Sequence, residues 1–150
     1  MYRHILIPTD GSELAQRAVT NGLALAKSLG AKVTVIVVEE PFNWLGVSET
    51  SAYQRQALDA LEKHNEQVKQ HAATVLGRAA DAAGKAGVPC DTMQVENAAP
   101  WQAIVAAAAE RACDLIVMAS HGRGGLSAIV LGSVTNKVLT HTKTPVLVYR

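Results

Sequence analysis

Aromatic side chains are scarce in this chain: one Phe, two Trp and three Tyr make up 4% of it. No basic run and no RNA-type aromatic motif appears, and the formal net charge is only +1. An electrostatic footprint for nucleic acid or for an acidic membrane is therefore missing. Cysteine is as rare. Cys90 and Cys113 stand alone, in neither C-x-x-C nor histidine-linked spacing. They read as reduced, partly buried thiols rather than a disulfide or a metal pair. No apolar run approaches the ~20 residues that span a bilayer. Met1 to Asp10 has no charged leader or cleavage site, so the expected location is cytoplasmic. What remains is apolar and rich in alanine: 49% of the 150 residues. That suits one domain over residues 1–150, with helices packed close to a sheet.

Strand-like runs alternate with helical stripes. His4 to Pro8 is an apolar strand suited to burial on both faces, with Pro8 at its carboxyl end. Ser12 is an N-cap for a helix with Leu14, Ala18, Gly22, Leu25 and Leu29 on its stripe and a stop at Gly30. Val33 to Val38 is the second strand. Periodicity then lapses from 40 to 50, where Pro41, Phe42, Trp44 and Leu45 either fold back on the core or contact a partner or ligand. Ala52 to Ala86 is one long helix with Leu58, Leu61, Val68, Val75, Ala79 and Ala83 on its stripe, projecting past the sheet. Its His64 and His71 lack the i, i+4 spacing of a metal pair and read as solvated. Cys90 to Val95 is a polar edge strand. Pro100 opens a helix with a stripe of Trp101, Ile104, Val105, Ala108 and Ala112. Leu115 to Ala119 is the fourth strand. A last helix turns Val134, Val138 and Leu139 inward, and Pro145 to Tyr149 is the final strand. Helical crossovers between strands predict a doubly wound parallel sheet with helices on both faces. Ligands bind such sheets outside the carboxyl ends of the strands, where the strand order reverses.

The chemistry concentrates between Leu115 and Thr135. A buried strand runs into a glycine-rich turn, Ser120-His121-Gly122-Arg123-Gly124-Gly125, and Gly132-Ser133 opens a helix with Ser133 as N-cap candidate. Glycines let backbone N–H groups crowd one anion, a helix N-terminus adds open donors, and Arg123 adds a forked cation. The combination reads as a phosphate cradle, with a plain turn as the alternative. Asp10, at the carboxyl end of the first strand, either caps the following helix by an Asx-type bond or contacts a ribose, adenine or metal.

The spacing resembles the signature of the universal stress protein family, whose ATP-binding members carry G-x2-G-x9-G-[S/T]. Here it reads A-x2-G-x9-G-S, at Ala119, Gly122, Gly132 and Ser133, with alanine in place of the first glycine. The likeness runs from I-L-I-P-T-D-G-S to T-P-V-L-V-Y-R. It implies a five-stranded parallel α/β sheet in the order 3-2-1-4-5, of the adenine nucleotide alpha hydrolase-like type. It further implies an adenosine pocket at Pro8, Thr9, Asp10 and Val38. Ribose and phosphates would then lie on Ala119, Ser120, His121, Gly122, Arg123, Gly124 and Gly125, with Gly132, Ser133, Val134 and Thr135. Gly122, Gly132 and Ser133 would donate to phosphates, and the hydroxyls of Ser133 and Thr135 would add to them or touch Mg²⁺. The implied ligand is ATP, ADP or AMP, with Mg²⁺ as a candidate companion. The implied role is a regulatory, stress-response switch that works through nucleotide-dependent conformation, dimerisation and a client protein.

Other nucleotide motifs are absent. Neither G-x4-G-K-[S/T] nor G-x-G-x-x-G occurs, and T-D-G-S-E-L after the first strand does not match S-G-G-x-D-S. A receiver domain would need paired acids beyond Asp10 and Lys143. His121 alone could serve as a base and has no accompanying acid, so no catalytic residue and no metal site is assigned. A slow Mg²⁺-dependent ATP hydrolase and a nucleotide-free interaction homodimer are the competing readings. The apolar strand Val146, Leu147, Val148 and Tyr149, with an open edge, is the expected homodimer contact.

Overall fold

The computed structural model describes residues 1–42, 51–122 and 131–150. Strands and helices alternate along them: β1 (His4–Pro8), α1 (Glu13–Leu29), β2 (Lys32–Glu39), α2 (Ser51–Ala86), β3 (Cys90–Glu96), α3 (Pro100–Glu110), β4 (Leu115–Ala119), α4 (Ser133–His141) and β5 (Val146–Tyr149). The strands pair in parallel in the order β3-β2-β1-β4-β5. This is the order expected of the family resemblance. β1 and β4 are buried throughout, while the edge strands β3 and β5 are only partly covered. No helix of the described residues is long and apolar enough to cross a membrane.

Alternation along the strands divides the core in two. Ile5, Ile7, Val33, Val35 and Val117 point to one face, where α1 and α2 cover them. Leu6, Ile36, Ile116 and Met118 point to the other, against α3 and α4. The period of two thus feeds two helical layers from one sheet.

Three helical stripes are phased differently from expectation. In α1 the buried residues are Ala15, Ala18, Val19, Gly22, Leu23 and Ala26, and the predicted Leu14, Leu25 and Leu29 flank them half-buried. The reason is close approach: a Cβ on Gly22 would stand 2.6 Å from Ile7 Cδ1. The small residues therefore meet the sheet, and the leucines fill the sides. In α4 the buried pair is Thr135 and Val138, while Leu139 is exposed. Ser133 is the first helical residue, and Gly132 occupies the cap position with no side-chain bond. In α3 Ala112 lies beyond the helix, exposed, with φ of 51°.

That last feature belongs to a repeated device. After α1, Ala31 N–H donates to Ala26 and Gly30 N–H to Lys27. After α2, Val88 donates to Ala83 and Gly87 to Gly84. After α3, Cys113 donates to Ala108 and Ala112 to Ala109. Each is a Schellman ending with a left-handed residue at its corner. Two corners are glycine; the third is alanine.

These endings occupy the rim at the amino ends of the strands. There Asp114 ties β1 down, its carboxylate accepting N–H bonds from Arg3 (2.8 Å) and His4 (3.0 Å). The buried His4 ring meets Thr34 Oγ1 through Nε2 at 2.8 Å. Both cysteines are free thiols. Burial, then the Asp114 charge, pushes Cys113 up to about 11, and burial followed by Asp91 raises Cys90.

Candidate functional site

β1 and β4 are neighbours, yet the helices that follow them cross opposite faces of the sheet. The chain parts there, and a cleft of about 730 Å³ opens at the carboxyl ends of the strands. That is the size of a small-molecule site, placed at the topological switch point.

The cleft draws on four elements named in advance. Pro8, Thr9 and Asp10 enter from β1 and its turn, Val38 from β2, and Ala119, His121 and Gly122 from β4 and its turn. Gly132, Ser133, Val134 and Thr135 enter from α4. Ser120 stands one layer back and is buried. Arg123, Gly124 and Gly125 lie outside the described residues, as do Trp44 and Leu45.

Local hydrogen bonds explain how each wall is held. Thr9 N–H donates to Ile36 O at 2.9 Å, extending the β1–β2 ladder by one residue. Asp10 Oδ1 accepts from Ser12 N–H at 3.0 Å, so the Asx-type turn is present. Ser12 in turn caps α1 by accepting from Ala15 N–H. Gly11 has φ of 79°, and a Cβ on it would stand 2.7 Å from Val75 Cγ2 and 3.2 Å from His71 Nε2. Glycine is required there on both counts. Gly122 lies against the other carboxylate oxygen, since a Cβ on it would collide with Asp10 Oδ2. The two strand ends thus meet through Asp10.

Along β2, Ile36 O faces β1 and Glu39 O faces β3, where it accepts from Asn97 N–H. Backbone direction alternates along a strand, so the Val38 N–H and C=O face the β1 side. β1 has ended by then, and the Val38 backbone pair is aimed into the gap.

The α4 side requires two corrections. Gly132 N–H, expected as an anion donor, is bonded to Ser120 O at 2.7 Å. Its Cα is pressed against the β4 end: a Cβ would lie 3.1 Å from His121 Cα and 3.2 Å from Ser120 O. The Thr135 hydroxyl, expected toward phosphate or Mg²⁺, donates to Ala119 O at 2.9 Å and is buried. Both groups fasten α4 to β4. What this leaves at the cleft is the first turn of α4, which has no side-chain cap among the described residues. Its leading N–H groups, on Ser133, Val134 and Thr135, have no partner among the described residues and carry the partial positive charge of the helix. Ser120 Oγ and His121 Nδ1 are 3.1 Å apart, which orients the imidazole and leaves Nε2 as its other polar atom.

One wall was not expected. His64, Gln67, Val68, His71 and Ala72 of α2 line the cleft, with Glu39 and Glu40 at the end of β2. The two histidines are exposed, but they face the cleft margin rather than bulk solvent alone. Beside them Phe42, 55% exposed, sets its ring edge-on to His64 with centroids 5.5 Å apart. Little in the sequence signals it, since the apolar stripe of α2 continues through Leu58, Leu61 and Val68 beside these polar residues. Pro100, Ile104 and Met118 complete the floor from the other layer. Among the described residues no group of three or more His, Cys, Asp or Glu could hold a metal ion.

An apolar floor, an acid at one strand end and an uncapped helix N-terminus at the other suit a ligand with a flat apolar part and an anionic part. Comparison with known proteins agrees with that description. The family model of the universal stress protein family matches residues 1–150. Universal stress protein MJ0531 of Methanocaldococcus jannaschii is 31% identical over 150 residues, covering 100% of this chain and 83% of its own. The chain belongs to the universal stress protein family. Among solved structures, the hypothetical protein MJ0577 of the same organism aligns with TM-score 0.79 and 26% identity, over 99% of this chain and 95% of that one. A universal stress protein crystallised in complex with cAMP aligns with TM-score 0.70 and 25% identity, over 99% and 97%.

Proposed function

We propose that this protein binds an adenine nucleotide, ATP or ADP, and acts as a regulatory switch through nucleotide-dependent conformation and association rather than as an enzyme. The observation that carries the reading is the cleft between β1 and β4, closed at one side by the uncapped first turn of α4. Phosphates belong at that turn, with Gly122 and Ser133 beside them and Mg²⁺ as a companion of the phosphates. The base belongs between Asp10 and the Val38 backbone, whose polar atoms suit the adenine edge. A family relative in complex with cAMP supports the adenosine part of the assignment. The switch would work in a cytoplasmic homodimer joined through β5, read by a client protein.

Calorimetry with ATP, ADP and GTP tests the reading. Adenine nucleotides should bind and GTP should bind more weakly. Ser133→Pro makes the test specific, because proline suits the first helical position and removes one open N–H. A bond to a charged group is worth roughly 1.5–3 kcal/mol, so ATP affinity should fall tenfold or more. Adenosine affinity should not change, and Ser133→Ala should separate the hydroxyl from the N–H. Absence of adenine-nucleotide binding in the folded wild-type protein would sink the assignment.

A further inference from the structure

The cleft-facing stripe of α2 runs through Gln67, Val68, His71 and Ala72, at the i, i+3, i+4 spacing of one helical face. C-terminal to it the same face continues as Ala72, Val75, Leu76, Ala79 and Ala83, all buried against the sheet. The stripe therefore gains polar residues where the helix leaves the sheet and overhangs the cleft. A face that had merely run out of protein would have no reason to approach the strand ends. This one does approach them: Gly11, in the turn after β1, has room for no Cβ because Val75 and His71 stand against it.

We propose that α2 is a ligand-contacting wall, with Gln67 and His71 touching the nucleoside part of the bound nucleotide. The inference rests on the adenine-nucleotide reading above and adds to it residues from an element outside the signature. Position decides which part of the ligand they meet. α2 packs in the layer of α1, on the opposite face from α4. The phosphate end lies at the α4 turn, so the end nearest α2 is the base and ribose. Chemistry agrees. A glutamine carboxamide offers one acceptor and two donors in a plane, the complement of the amino group and adjacent ring nitrogen of adenine. The imidazole of His71 supplies a flat face and a ring nitrogen beside it.

The test compares wild type with Gln67→Ala/His71→Ala in the full chain. Affinities for ADP, GDP and adenosine are measured by calorimetry, with far-UV circular dichroism to confirm the fold. ADP and adenosine should weaken equally, by about tenfold, and the preference for ADP over GDP should shrink. A variant that binds ADP as wild type does overturns the proposal, and so does a loss confined to ADP with adenosine unaffected. The wild-type protein gives an independent reading through carbethoxylation of histidines by diethylpyrocarbonate, mapped by peptide mass. Saturating ADP should protect His71, and an unchanged modification rate would count against the contact. If wild type binds ADP and these tests fail, only the α2 contact falls. If wild type binds no adenine nucleotide, the functional reading itself falls.

Discussion

Ala112 holds a left-handed backbone, φ 51°, at the corner where α3 ends. The same corner after α1 and α2 is glycine, Gly30 and Gly87. A Cβ in this region costs roughly 1–2 kcal/mol, and glycine gives back part of that gain as unfolded-chain entropy. Ala112→Gly should therefore stabilise the fold by about 1 kcal/mol and raise Tm by about 2–4 °C, read by calorimetry. A lower Tm would show that the Ala112 methyl makes a contact worth more than the strain. Two residues away the same rim responds to acid. Burial holds the His4 imidazole below 6.5, with Lys32 helping, against the Arg111 backbone, Asp91 and Asp114. The unfolded chain thus takes up more protons than the native one as pH falls below about 6.5, and stability declines. Asp114 acts lower down. Desolvation raises its pKa, but the His4 and Arg3 N–H bonds outweigh this and hold it low. Its contribution is present above the unfolded carboxylate value and lost as pH falls through the folded one. The urea midpoint should drop between pH 7.5 and 5, and His4→Gln should flatten that slope. An equal slope in the variant would assign the titration to other groups.

Among the elements, β5 and α2 raise separate questions. Among the described residues β5 pairs with β4 alone, leaving its other side as a sheet edge. Pro145 O and Tyr149 O face β4, where they accept from Ile116 and Ser120 N–H. By alternation the Val146 and Val148 backbones face outward. Lysines at these positions would make a poor test of dimerisation, because Val146 also packs into the α3–α4 layer. Val148→Pro removes an outward N–H and leaves the β4 ladder whole. Sedimentation should then show monomers. A dimer that persists would move the interface away from β5. α2 marks where local patterns stop informing. It was legible as one helix from Ala52 to Ala86, and the structure starts it one residue earlier, at Ser51. Leu58, expected on the buried stripe, is 57% exposed. Which part of a long helix meets the sheet depends on where the sheet ends, and that lies in other segments. The α1 stripe misleads for another reason: leucine outweighs alanine in any hydrophobicity count, but close packing on Ile7 selects small residues.

In the whole molecule, the alternation of parallel strands and helices was legible because it follows from signals of short range, whereas the strand order, and with it the switch point, came from the family resemblance. The strand, glycine turn and helix start from Leu115 to Thr135 are written in consecutive residues. So is the β1 turn through Asp10. What those residues do for one another is less local. Gly132 N–H and the Thr135 hydroxyl carry the types expected of anion contacts, and the fold uses both to fasten α4 to β4. The α2 wall is the extreme case, since it becomes part of the site only through a lean over the distant β1 turn.

The pairing of β1 with β4 has a consequence in time. His4 and Asp114 are joined across 110 residues, while β1 pairs with β2 across a single helix. During synthesis, the segment from β1 through β3 can assemble well before β4 emerges from the ribosome. In that interval the inner edge of β1 is unpaired, and the cleft has only one bank. A ligand of the cleft could therefore reward the finished fold but could not template its first half. Nascent chains halted before Leu115 should expose β1 to chaperones, and chains released beyond Tyr149 should not.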